Sequence, residues 1–293
     1  MTWLLWLGSG IIAVVIIAVG LGTVGATRWA ALIRFHTIQL ESGSVGGQGR
    51  LLQPTRFDAH ELEGLPVPVQ RYFRAVLTDG QPMIAATSIE MNGVMNLSAT
   101  AAQWKPFTSR QRVITRKPGF LWDARINMFP GMSAYVEDSY IAGRGRLMAK
   151  LLGLFTVADS QGEGENARGE FMRYFAEAAW YPTALLPSQG VQWEAMDDTT
   201  ANATIVDGPI RLTLLFRFND AGLIASVHAE ARGAGVGEDG VMVMLPWDCG
   251  LSNYKQQDGM LVPMAGEAAW VRPAGRKAYF VGQIKTLSYE FLP

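Results

Sequence analysis

The sequence predicts an α+β protein: a large curved antiparallel sheet, a half-barrel of roughly ten strands, with a few helices and an N-terminal transmembrane helix. Three observations carry this. Segments of period-two alternation, rich in β-formers and bounded by turn residues, fill most of the chain after Ile84. They follow one another in hairpin order without strand–helix–strand alternation, so the sheet is antiparallel. And no charge occurs between Met1 and Thr27.

That uncharged run exceeds the ~20 residues a helix needs to cross the bilayer core. Trp3 and Trp6 stand at one end and Trp29 at the other. From Trp3 to Trp29 is roughly 39 Å of helix, close to the ~40–45 Å bilayer thickness with headgroups, where indoles prefer the two interfaces. Val24-Gly25-Ala26 also resembles a signal-peptidase site, but the run lacks a basic n-region and is long for a cleaved signal. The partner expected here is the lipid bilayer, in a single-pass cell-membrane protein. Arg28, Arg34 and Arg50 follow the span and favour a cytoplasmic domain.

Residues 1–35 are accordingly read as anchor with an interfacial extension, 36–55 as a flexible tether around ESGSVGGQG, and 56–293 as the β-rich domain. Within the domain, LPVPVQRYFRAVL reads as the first helix, its prolines placed in the first turn where a missing N–H costs nothing. Strands follow from Ile84 to Gly143, with Asn92-Gly93 read as a hairpin turn. GRGRLMAKLLGLFTVA, residues 143–158, reads as a helix from the spacing of Leu147, Leu151, Leu154 and Phe155. After the acidic turn GEGENARGE comes a third helix, ending at Tyr181-Pro182 because the residue before proline avoids helical angles. Strands then continue to the C-terminus.

Composition narrows the function. A net charge of −1 with scattered Lys and Arg argues against nucleic-acid binding. One cysteine and three dispersed histidines supply no local zinc motif, and no cofactor fingerprint or GxSxG elbow is present. No catalytic residue is assigned. Asp123, Glu137 and Asp138 lack calcium-loop spacing and read as strand-face residues.

The candidate site is the helix MRYFAEAAWYP. Glu170, Arg173 and Glu177 share one narrow stripe opposite its apolar arc. Such stripes are usually solvated, which is the simpler reading. The alternative turns them into a cavity, where an Arg between carboxylates satisfies buried charge and could hold a polar headgroup beside Trp180, Tyr181, Leu185 and Leu186. On that alternative the protein binds a hydrophobic or amphipathic ligand such as a lipid. A membrane-bound scaffold and a hydrolase using Glu170 and Glu177 are the other readings.

At LPVPVQRYFRAVL, DSYIAGRGRLMAKLLGL and RYFAEAAWYPTALLPSQGVQW the chain resembles an uncharacterised family of bacterial single-span membrane proteins, from about Leu65 to the C-terminus. The family carries no established activity, so the resemblance implies no catalytic residue. A looser similarity, to the curved sheets of lipoprotein-carrier and lipid-binding periplasmic proteins, implies a periplasmic domain, against the flanking arginines.

Overall fold

A computed structural model describes residues 2–45, 54–98, 100–237 and 239–293, with backbone alone for 2–18 and 43–45. The chain opens with α1 (Thr2–Val45) and α2 (Val67–Val76), runs through β1 (Ile84–Asn96), β2 (Trp104–Ile114), β3 (Gly119–Phe129), β4 (Met132–Ile141), β5 (Arg144–Leu151) and β6 (Phe155–Gly162), and crosses back by α3 (Glu165–Ala176). It ends with β7 (Gln192–Ala195), β8 (Thr200–Asp207), β9 (Ile210–Phe218), β10 (Ile224–Val236), β11 (Met242–Gln257), β12 (Met260–Arg272) and β13 (Gly275–Phe291). Three short 3-10 turns, Glu177–Trp180, Pro182–Leu185 and Pro187–Gln189, link α3 to β7.

All thirteen strands form one open, antiparallel sheet ordered β6-β5-β4-β3-β2-β1-β13-β12-β11-β10-β9-β8-β7. It consists of two meanders joined where β1 pairs with β13, Ile84 opposite Phe291. The two edges, β6 and β7, are successive in sequence, so the segment between them must travel beneath the whole sheet. That crossing, α3 and its 3-10 turns, fills the inner face. Alternation along β3 shows the two sides. Phe120, Trp122, Ala124 and Ile126 enter the main core with α2 and α3, while Leu121 meets Leu40 of α1 on the outer face.

Four expectations are corrected. Residues 143–158 are a hairpin, β5–β6, rather than a helix: Ala142 and Gly143 both take positive φ, the two-residue turn that pairs Ile141 with Arg144, and Leu152-Gly153 repeats the sign at the next turn. Leucine spacing alone cannot tell a hairpin from a helical stripe. Asn92-Gly93 is no turn but lies inside β1 at the seam between the meanders, where a Cβ on residue 93 would strike the carbonyl of Val281. The acidic stretch GEGENARGE is largely helix already, since α3 begins at Glu165. Residues 36–45, assigned to the tether, continue α1, and His36 and Leu40 pack on the sheet; tether residues 46–53 fall outside those described.

Among the described residues no helix is long and apolar enough to cross a membrane. Most of the uncharged run, side chains 2–18, lies outside them.

Candidate functional site

The charged stripe on α3 is turned inward, which corrects the solvated reading. Glu170 and Glu177 are each 8% exposed. Arg173 sits between carboxylates: its Nε donates to Glu177 Oε1 at 2.8 Å and its NH1 to Asp138 Oδ2 of β4 at 2.7 Å. Gln111 of β2 closes the ring, accepting from Arg173 at 3.3 Å and donating to Glu177 Oε2 at 2.7 Å. The guanidinium also lies over Trp122 and Phe120, 4.8 and 5.1 Å from the ring centroids. Burial alone would lower the Arg173 pKa, but the surrounding carboxylates of Glu177, Asp138 and Glu170 hold it above its ordinary value. This cluster pins α3 to the first meander.

A second arginine reaches the same region from the other meander. Arg232 of β10 stacks on Trp247, 4.7 Å from its centroid, and lies 3.8 Å from Glu170 Oε1, beyond hydrogen-bond range. Glu170 is therefore poorly compensated. Burial, then the negative charge of Asp138, push its pKa up to about 8, against the opposing pull of Arg232 and Arg173. Burial likewise raises Asp138, although Arg173 counters it.

Between α3 and the centre of the sheet these groups enclose a cavity of about 60 Å³. Its polar wall is Asp138, Arg173, Glu177 and Arg232; its aromatic wall is Trp122, Trp180, Trp247, Tyr279 and Phe280. Two buried polar atoms of lining residues, Asp138 Oδ1 and Trp180 Nε1, have no hydrogen-bond partner, and neither has Glu170 Oε2 next to it. Cys249 also lines the cavity, but burial and the Glu177 charge push its thiol up to about 12, so it is not a thiolate at neutral pH.

Of the five candidates drawn from the sequence, Arg173, Glu177 and Trp180 line the cavity and Glu170 stands beside it. Tyr181 does not line it. It is fully buried in the core, its hydroxyl donating to the Tyr174 carbonyl at 2.5 Å. Leu185 and Leu186 are core residues too. Sequence reasoning missed Gln111, Arg232, Trp247 and Tyr279, and took Asp138 for a strand-face residue; each comes from a different strand and has no local signal. The three strand-face acids separate. Trp29 of α1 donates to Asp123, Glu137 meets His36 of α1, and Asp138 alone faces inward to Arg173.

Fold and site define a class: an open thirteen-stranded antiparallel sheet whose inner face is crossed by a helix carrying a buried ion-pair network beside a small cavity. The chain belongs to a family of unknown function, DUF6920, whose model matches residues 63–289. A comparison with curated protein sequences finds no match. Among solved structures, it is similar to a LolA superfamily protein of Nitrosomonas europaea, at 9% identity and a TM-score of 0.39, covering 77% of this chain and 93% of that one. It is also similar to a beta-barrel-like protein of the domain of unknown function DUF1849 from Brucella abortus, at 11% identity and a TM-score of 0.21, covering 71% and 98%.

Proposed function

We propose that the protein is a membrane-tethered binding protein for an amphipathic ligand of the lipid class, whose polar part enters the cavity between α3 and the sheet. The observation that carries this reading is a pair of unpartnered buried atoms on residues that line it, the acceptor Asp138 Oδ1 and the donor Trp180 Nε1. Each unsatisfied buried group costs about 1–3 kcal/mol, which a ligand group bearing both a donor and an acceptor would relieve. The volume sets a limit: about 60 Å³ is far below the ~300–1,000 Å³ of sites that enclose drug-sized ligands. A headgroup-sized moiety fits, while an acyl chain must lie outside the cavity or displace α3.

A hydrolase would need a carboxylate free to handle a proton at a reacting bond. Glu177 has both oxygens engaged, by Arg173 and Gln111, as an anchor would. Native mass spectrometry of the full chain, released from detergent after purification from its host, should show a retained amphiphile. Filling the cavity by Ala268→Leu or Ala268→Trp should remove the adduct while leaving a cooperative thermal unfolding transition. Reproducibly empty wild-type protein would overturn the reading.

A further inference from the structure

The hairpin turns of the sheet divide between two rims of opposite character. One rim carries the β1/β2, β3/β4, β5/β6, β8/β9, β10/β11 and β12/β13 turns, which follow one another every second strand in the sheet order. On or beside these turns Leu97, Trp104, Phe129, Phe155, Val236 and Val241 are exposed, Phe129 to 64% and Val236 to 66%. The opposite rim carries the β2/β3, β4/β5, β7/β8, β9/β10 and β11/β12 turns. Among the described residues its turns expose a single large hydrophobic side chain, Met196, at the β7 edge of the sheet. Single exposed apolar residues need no explanation, but their concentration on one rim does.

Helix α1 supplies the direction. On the outer face Leu40 packs at Gly119, on the polar rim, and the helix then crosses to the apolar rim, where Gly25 touches the Leu152-Gly153 turn so closely that any Cβ would strike the Leu152 carbonyl. Residues 2–24 of the same helix continue past that rim for about 34 Å at ~1.5 Å per residue, more than the ~30 Å bilayer core. Val19, Leu21 and Val24 already stand exposed there, with no protein over them.

We propose that the apolar hairpin rim is a membrane-docking surface, seated on the face of the bilayer that residues 2–24 enter. The occupant follows from the helix: a chain that leaves the sheet at this rim and spans a bilayer brings the rim to the lipid headgroups. Trp104 is a residue type that settles at that depth, and Lys105, its ammonium 4.9 Å from the Phe129 centroid, brings a positive charge to the same rim. Met95 and Phe280, which line the cavity, pair across β1 and β13 next to the same rim, so the cavity lies towards the bilayer end of the sheet. The inference rests on the membrane-tethered reading and not on ligand binding.

The test uses the full chain, with Cys249→Ser, reconstituted in phosphatidylcholine–phosphatidylglycerol vesicles. An environment-sensitive fluorophore is attached after Leu97→Cys, Phe129→Cys or Val241→Cys on the apolar rim, and after Ala142→Cys or Asp220→Cys on the other. Emission from the first three should shift to the blue and be quenched several-fold by nitroxide-bearing lipids, with the last two unaffected. Equal, water-like emission at all five sites would overturn the docking surface, and so would extraction of the chain from the vesicles by alkaline carbonate. Quenching at the rim, together with wild-type protein whose mass spectrum shows no ligand, would uphold the docking surface while removing the binding reading.

Discussion

Arg173 is the residue on which the interior turns, because Glu177, Asp138 and Gln111 converge on it from three separate elements. Breaking a buried pair from one side leaves uncompensated charge, at about 3–5 kcal/mol. Arg173→Met should therefore destabilise the protein by that order in chemical unfolding followed by tryptophan fluorescence. Neutralising its partners as well, by Asp138→Asn and Glu177→Gln, should recover much of the loss, since the cost lies in the stranded carboxylates. Glu170 makes the opposite case. Its folded pKa, near 8, is above the ordinary 4.5, so the unfolded chain releases this proton first. Stability from this group is full below about pH 4.5, falls as pH rises from there to about 8, and is level beyond; between those limits the slope approaches about 1.4 kcal/mol per pH unit. Glu170→Gln should flatten that fall, so its melting temperature should exceed that of the wild type by more at pH 8 than at pH 5. The stripe itself was legible from helical spacing, but its direction was not. Asp138 and Arg232, the residues that draw it inward, lie 35 and 59 positions from Arg173, on strands whose meeting depends on the completed sheet.

At the scale of elements, signals with a single local meaning match the structure. The first domain helix, starting on its two prolines, matches α2, and the expected stop at Tyr181-Pro182 coincides with non-helical angles at Tyr181, although α3 itself ends at Ala176 and the chain reaches Tyr181 through a 3-10 turn. Failures came where a local signal had two meanings. Leu147, Leu151 and Phe155 fit a helical stripe, yet Leu151 and Phe155 are opposite one another across a turn. Asn92-Gly93 fits a hairpin, yet its glycine serves a close approach of strands. That second meaning makes a sharp prediction. Gly93→Val places side-chain atoms against the Val281 backbone and the Phe107 ring, neither of which can rotate away. The cost should reach or exceed the ~1–3 kcal/mol of ordinary overpacking, read as a lowered unfolding midpoint. Val94→Gly, one residue along, removes a side chain already 37% exposed and should cost less.

For the whole molecule, the decisive feature is that the chain's last strand pairs with its first domain strand. β13 lies between β1 and β12, so its pairing with β1 is what joins the two meanders into one sheet. The second link is α3, which packs on β3 to β6 and also on β9 and β10. Neither meander can bury its inner face until both links are made, and Ile84 opposite Phe291 is a pairing of very long sequence separation. Such pairings pay their closure entropy before they are rewarded, so folding should be slow and should wait on the C-terminus. Ending the chain before Gly275 should then abolish cooperative thermal unfolding by circular dichroism in the domain as a whole, including β2 to β5, which the deletion does not touch. Shortening the β10/β11 turn alters the same rim but breaks no link between meanders, and cooperativity should survive it. If the truncated chain still melts in one sharp transition, α3 alone suffices to join the halves, and the inner cavity is held shut by the helix rather than by closure of the sheet.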